Sequence, residues 1–132
     1  MSTSETNADR NDFERWIAAA FEEEGSFTAL IVLVAIDETS VTPLCSTSVK
    51  VIGPDADWSD LTVMFAGSGQ DWHGAAFFPR QDARGRPLDN PTTRLRLREL
   101  EAALDGDRLV LNEGHFFDRW GRRMKVEELT RQ

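Results

Sequence analysis

The sequence has a single cysteine, no tyrosine and no long hydrophobic run. Cys45 alone cannot form an internal disulfide or a zinc site built from several cysteines. The longest apolar run, residues 29–36, is much shorter than the roughly 18 residues that a membrane-spanning helix needs. Near Met1 there is no basic segment followed by an apolar one, as a secretory signal would require. We therefore expect a cytoplasmic protein without a membrane segment.

Positive charge is scarce and unevenly placed. The 132 residues include 15 basic and 23 acidic side chains, for a formal net charge of −8. Residues 1–75 hold three basic and 13 acidic residues, a net charge of −10, whereas residues 76–132 hold 12 and 10, a net charge of +2. An acidic protein repels nucleic acid, but a polarised one can present two electrostatically different surfaces.

The composition predicts one folded domain behind a disordered leader. Apart from Met1, residues 1–10 contain no large apolar side chain, which is typical of disorder. Hydrophobic residues make up 40% of the chain, enough for one core in a protein of this length. We expect residues 11–132 to form a single α+β domain.

The first helix is predicted to begin after Asn11 and to end at Gly25. Asn11 and Glu14 have the spacing of a capping box, with Asn in place of Ser or Thr. Gly25 is a suitable C-cap. Between Asn11 and Gly25, apolar side chains occur at positions i, i+3, i+4, i+7 and i+8, which is one face of an amphipathic helix. They are Phe13, Trp16, Ile17, Ala20 and Phe21.

Four strands are predicted next. Residues 27–36 are apolar almost throughout, as expected of a central strand that is covered on both faces. Mixed alternation in 41–52 and the short apolar segments 61–66 and 72–78 complete the group. Because the connections are short, the four strands are expected to form an antiparallel meander.

The remaining chain is predicted to contain one helix and the last strands. Residues 80–90 are polar and read as a long mobile loop, after which Asn90 and Pro91 are interpreted as N-cap and N1 of a second helix. The fold prediction is α+β: an N-terminal helix packed on an antiparallel sheet of five to seven strands, with the second helix between strands 4 and 5. The last strands are assigned to residues 108–111, 116–117 and 124–129.

Two histidines limit any catalytic or metal-binding hypothesis. Asp71 and His73 lie two residues apart, so on a strand they share a face, and His115 is the only other histidine. These three residues define one alternative, a small enzyme or ligand-binding domain with an Asp/His site in a sheet cavity. No spacing matches HExxH or an EF-hand loop. The sequence therefore favours a non-enzymatic protein with no catalytic residues, no cofactor and no metal.

Arginine and tryptophan are concentrated near the end of the chain. Arg119, Trp120, Arg122 and Arg123 combine the residue types that anchor protein interfaces. We expect them to bind a protein partner, which makes the chain a small soluble protein-binding module of the adaptor, chaperone-like, inhibitor or immunity type. A second alternative, nucleic-acid binding through this arginine-rich hairpin, is disfavoured by the net charge.

Overall fold

The structure, a computed structural model, describes residues 10–126 and contains three α-helices, one 3₁₀ helix and five strands there. No helix in this range is long and apolar enough to cross a membrane. In chain order the elements are α1 (Asp12–Glu24), β1 (Phe27–Ile36), β2 (Val41–Val51), α2 (Trp58–Ala66), β3 (Gly74–Arg80), α3 (Asn90–Gly106), the 3₁₀ helix (Arg108–Glu113), β4 (His115–Asp118) and β5 (Arg123–Met124).

The five strands form one antiparallel sheet in the order β2-β1-β3-β4-β5. The long β1–β2 hairpin pairs Phe27 with Val51 and Ile36 with Val41, and β1 pairs with β3 on its other side. The two edges are the long strand β2 and the two-residue strand β5. The structure therefore has the predicted N-terminal helix and antiparallel sheet, within an α+β fold. The predicted meander is wrong, because β3 pairs with β1 and not with β2.

Helices cover both faces of the sheet. On one face, α1 and α2 pack on Ala29, Ile31 and Leu33 of β1. On the other face, α3 packs on Leu30, Val32 and Val34. Because alternate residues of a strand point to opposite faces, a central strand buried on both sides is expected to be apolar almost throughout, and Thr28 is the one polar residue of β1. The sequence prediction for β1 has the same bounds as the strand in the structure.

Helix α1 begins with the predicted capping box. The Asn11 side chain accepts from the backbone N–H of Glu14, and the Glu14 carboxylate accepts from the backbone N–H of Asn11. Phe13 and Ile17 are buried against the sheet. Gly25 closes the helix with φ of 76°, and its N–H donates to Phe21.

The prediction of a strand over residues 61–66 is wrong, because this segment belongs to helix α2. Asp57 caps the helix by accepting from the backbone N–H of Ser59 at 2.8 Å. Trp58 and Phe65, two turns apart, are buried on the same face of the sheet. Helical spacing aligns these two aromatic rings over the core, and it leaves Val63 exposed.

The prediction of a strand over residues 108–111 is also wrong. Asp107 accepts from the backbone N–H of Leu109 at 3.0 Å and starts the 3₁₀ helix, which buries Leu111 against the sheet. At the end of the chain, β5 consists of Arg123 and Met124, whereas the predicted strand 124–129 extends beyond the described residues.

Because of these differences, the order of helices and strands along the chain differs from the predicted order. The structure places α2 between β2 and β3 and α3 between β3 and β4, whereas the prediction had a single helix between strands 4 and 5. Within residues 10–126 the sheet has five strands, the lower limit of the predicted range. The predicted leader, residues 1–10, lies outside the described range except for Arg10.

The predicted loop, 80–90, is shorter by its two end residues, because Arg80 belongs to β3 and Asn90 to α3. The N-cap of α3 is Asp89, one residue before the predicted one, and it accepts from the N–H of Thr92 at 2.8 Å. A second carboxylate, that of Asp82, organises the preceding turn by accepting two backbone N–H groups.

Candidate functional site

The hairpin that joins β4 and β5 contains all four residues predicted to bind a partner. We refer to residues 118–123 as the hairpin tip. Asp118 organises the turn, because its Oδ1 accepts from the backbone N–H groups of Trp120 and Arg122, each at 2.9 Å. Gly121 has φ of 77°, a conformation that favours glycine. The tip is therefore built by local hydrogen bonds around a single, largely buried carboxylate.

Three consecutive carbonyl groups attach the hairpin tip to the two helices on one face of the sheet. The Arg119 carbonyl accepts from the indole Nε1–H of Trp58 at 2.8 Å. The Trp120 carbonyl accepts from Asn11 Nδ2 at 3.1 Å, and the Gly121 carbonyl accepts from the backbone N–H of Phe13 at 2.9 Å. The last bond satisfies one of the unpaired N–H groups at the start of α1.

Trp120 and Arg122 form the part of the tip that faces solvent. The Trp120 side chain is 64% exposed, and the Arg122 guanidinium carbon lies 4.9 Å from the centre of its ring, a cation–π contact. Arg122 Nε also donates to Asp118 Oδ2 at 2.8 Å. The same carboxylate that shapes the turn thus holds the arginine over the indole.

Arg119 and Arg123 are engaged by the fold. Arg119 donates from Nε to the Trp72 carbonyl at 2.8 Å and forms an ion pair with Asp71 at 2.7 Å. The Arg123 guanidinium lies 4.9 Å from the centre of the Phe117 ring and 3.2 Å from His115 Nδ1. All four predicted contact residues are therefore exposed, but Arg119 and Arg123 also brace the hairpin.

Asp71 and His73 are neighbours in the structure, but their contacts restrict the chemistry of His73. The backbone N–H of Ile36 donates to His73 Nδ1 at 2.7 Å, and His73 Nε2 lies 3.8 Å from Asp71 Oδ2. A neutral imidazole that accepts at Nδ1 carries its proton on Nε2. The exposed nitrogen is then a donor, so this arrangement supports neither a general base nor metal ligation at Nε2.

His115 lies in a different environment. Its ring stacks on Trp16 with centroids 4.4 Å apart and planes tilted by 25°. Burial, and secondarily the positive charge of Arg123, lower the pKa of His115 below its usual value of 6.5. The neutral form is favoured because the half-buried ring loses hydration and faces a cation.

The structure does not bring the three residues of the alternative site together. His115 pairs with Phe77 in the sheet, whereas His73 precedes the first residue of β3, which is Gly74. Among residues 10–126, no group of three histidine, cysteine or carboxylate side chains has a geometry that could hold a metal ion. Asp71 instead helps to position Arg119 beside Trp72.

The second arginine group, on α3, is separate from the hairpin tip. Arg94, Arg96 and Arg98 are exposed on a helix that covers the opposite face of the sheet from α1 and α2. The helices that hold the tip are on the other side. The two groups therefore do not form a continuous basic surface of the kind that follows a nucleic-acid backbone.

Comparisons with protein-family models, with curated proteins and with solved structures found no match to the chain.

Sequence reasoning located the exposed tryptophan and arginine but missed the residues that hold them. Asp118, which orients Arg122, was not among the predicted contact residues. A local signal existed, since aspartate followed three residues later by glycine, as in Asp118 and Gly121, is typical of a tight turn. The contacts from Asn11 and Trp58 had no such signal, because they join residues far apart in sequence.

Proposed function

We propose that this chain is a non-enzymatic protein-binding module and that the hairpin tip is its contact surface. The observation that carries the proposal is the exposed Trp120 with Arg122 stacked on it, held on a backbone bonded to two helices. Tryptophan and arginine are the residue types enriched at the energetic centres of interfaces. A contact surface that is fixed before binding loses little conformational entropy in a complex.

The chemistry of the tip indicates what it would recognise. The Asp118 pair uses Nε of Arg122, so the terminal guanidinium nitrogens keep N–H donors for a partner. The Trp120 ring supplies a flat apolar surface beside them. We expect the partner to offer an apolar side chain next to a neutral acceptor such as a backbone carbonyl, because a carboxylate bound to Arg122 would be repelled by Asp118.

The nucleic-acid alternative has weaker support. Arg122 and Arg119 are each paired with a carboxylate, from Asp118 and Asp71 respectively. These carboxylates would lie near any phosphate bound there and would repel it. If the alternative were correct, the protein would be retained on single-stranded DNA with a steep dependence on salt.

Partner capture with matched variants tests the proposal. The protein is immobilised and exposed to native lysate, and the captured proteins are quantified by mass spectrometry. We expect Trp120→Ala with Arg122→Ala to reduce capture of the specific partner at least tenfold, because interface anchors of this type each contribute about 2 kcal/mol or more. Binding of the purified partner is then measured by calorimetry.

The matched control is Leu95→Ala with Arg98→Ala on α3, which also removes one exposed apolar side chain and one exposed arginine. It should leave partner binding unchanged. Both double variants should keep the thermal unfolding midpoint close to that of the wild type, since the altered side chains are exposed. Equal partner binding by the two double variants would contradict the proposal.

A further inference from the structure

An apolar cavity of about 340 Å³ lies between α1, α2 and the edge strand β2. Its inner wall is made by core residues, among them Phe13, Ile17 and Phe77. Val49 and Leu61, both only partly buried, form the sides nearer the solvent. A volume of this size is at the lower end of the range found for small-molecule sites.

The mouth of the cavity carries negative charge. Asp55, Asp57 and Asp60 line it and are exposed to solvent. Asp57 is fixed in place as the N-cap of α2. Lys50 is the one cationic side chain among the described residues that line the cavity. The mouth therefore has three carboxylates against one ammonium group.

Apolar surface continues from the cavity to the outside of the protein. Ile52 lines the cavity and is 75% exposed, the highest exposure recorded for a large hydrophobic side chain in residues 10–126. An apolar path that leads out between carboxylates is complementary to a molecule with an apolar body and a positively charged head. An anionic ligand of the same shape would be repelled at the mouth.

We propose that this cavity binds a small amphiphilic cation, an alkyl- or arylammonium ion, with the apolar group among Val49, Leu61 and Phe77 and the ammonium group among the three aspartates. The site is independent of the hairpin tip, because none of the residues 118–123 lines the cavity. Failure of one proposal leaves the other unaffected.

Three probes of equal chain length test the charge requirement: octylammonium, 1-octanol and octanoate. Binding is followed by NMR through the methyl resonances of Leu61 and Val49. Leu109, which lines a separate cavity next to the β1–β2 turn, serves as the internal control. We expect octylammonium to shift the Leu61 and Val49 resonances at lower concentration than octanol, and octanoate to shift them least. Equal affinities for the three probes, or larger shifts at Leu109, would overturn the proposal.

Two test variants and one control variant separate the roles of charge and volume. Asp55→Asn with Asp60→Asn should weaken octylammonium binding about fivefold, because exposed charge pairs contribute modestly. Glu38→Gln with Asp105→Asn removes equal charge beside the other cavity and should leave binding unchanged. Ala56→Leu adds apolar volume to the cavity and should weaken binding of octylammonium and octanol alike.

The proposal is overturned if both charge variants bind octylammonium equally or if Ala56→Leu binds like the wild type. It is also overturned if Ala56→Leu converts a dimer into a monomer, because the cavity would then be an interface between two copies of the chain. Folding of each variant is checked by its amide spectrum, and Asp55→Asn with Asp60→Asn, both at exposed positions, keeps the test valid if Ala56→Leu fails to fold.

Discussion

Gly121 and Asn11 lie so close together that the glycine has no room for a side chain. A Cβ atom added to Gly121 would overlap the Asn11 side-chain amide, and φ of Gly121 is 77°. The Asn11 side chain is at the same time the N-cap of α1 and a donor to the Trp120 carbonyl. One point of contact therefore controls the start of the first helix and the position of the hairpin tip.

The substitution Gly121→Ala should destabilise the protein by about 3 kcal/mol, measured as the free energy of unfolding in urea. The positive φ alone costs an alanine about 1–2 kcal/mol, and displacement of the Asn11 cap adds about 1 kcal/mol. Gly85→Ala is the matched control, because Gly85 has the same φ of 77° with open space around it. Equal losses of stability in the two variants would show that the contact with Asn11 has no energetic role.

Glu14 is predicted to couple the two helices on its face of the sheet. Its Oε2 accepts from the backbone N–H of Trp58 at 2.9 Å, and its Oε1 accepts from the N–H of Asn11 at 3.3 Å. Glu14→Ala removes both acceptors and should cost about 2 kcal/mol of unfolding free energy. Glu14→Gln keeps one acceptor oxygen and should cost about half as much.

The control for this pair is Glu22→Ala in the last turn of α1. A carboxylate there opposes the helix dipole, so its removal should leave stability unchanged or raise it by a few tenths of a kcal/mol. If Glu14→Ala and Glu22→Ala have the same unfolding free energy, the bond to Trp58 does not join the helices.

Thr28 provides a test of a buried hydrogen bond. The residue is 1% exposed, and its hydroxyl accepts from the backbone N–H of Leu88 at 2.9 Å. Thr28→Val has the same shape but leaves this N–H without a partner, which should cost about 1–3 kcal/mol. Hydrogen exchange of the Leu88 amide should become faster. Thr42→Val, at an exposed position of β2, should change stability by less than about 0.5 kcal/mol.

Stability is expected to fall in mildly acidic solution because of His115. Burial, followed by the charge of Arg123, lowers the pKa of the folded-state imidazole below 6.5. Between that lowered pKa and 6.5 the unfolded chain binds more protons than the folded one, so stability rises with pH and reaches its full value above about 6.5. Urea unfolding from pH 8 to pH 5 should show this loss, and His115→Gln should remove part of it.

An NMR titration of the His115 ring separates burial from the charge of Arg123 as causes of the lowered pKa. Arg123→Met removes the neighbouring charge and should raise the pKa of His115 only in part, because burial is the larger cause. A return of the His115 pKa to its usual value in Arg123→Met would show that the charge, and not burial, is the main cause of the lowered pKa.

Much of the fold could be predicted from the sequence where local chemistry decides the structure. The Asn11 capping box, the continuous apolar segment of β1 and the bounds of β1 were all readable, because each depends on residues close together in the chain. The prediction for residues 61–66 was wrong because contacts with distant parts of the chain help to decide the structure there. The β-branched and aromatic residues of this segment favour a strand, whereas the Asp57 cap and the burial of Trp58 and Phe65 on one face of the sheet favour the helix.

The candidate site could likewise be predicted only in part. The residue types at the tip were visible in the sequence, but the separation of Trp120 and Arg122 from Arg119 and Arg123 was not. That separation depends on Asp71, more than forty residues away in the chain, and on the stacking of Arg123 over Phe117. Composition identifies which residues can bind a partner, and tertiary contacts decide which of them also hold the hairpin in place.

The bonds between the hairpin tip and the N-terminal turn of α1 also determine when that turn can be completed. The Phe13 N–H and the Asn11 side chain find their acceptors at Gly121 and Trp120, more than a hundred residues later in the chain. During synthesis on a ribosome, these two groups can reach their acceptors only after the β4–β5 hairpin has emerged. Contacts of such long sequence separation slow folding, so the N-terminal turn of α1 should become fully ordered only once that hairpin has formed.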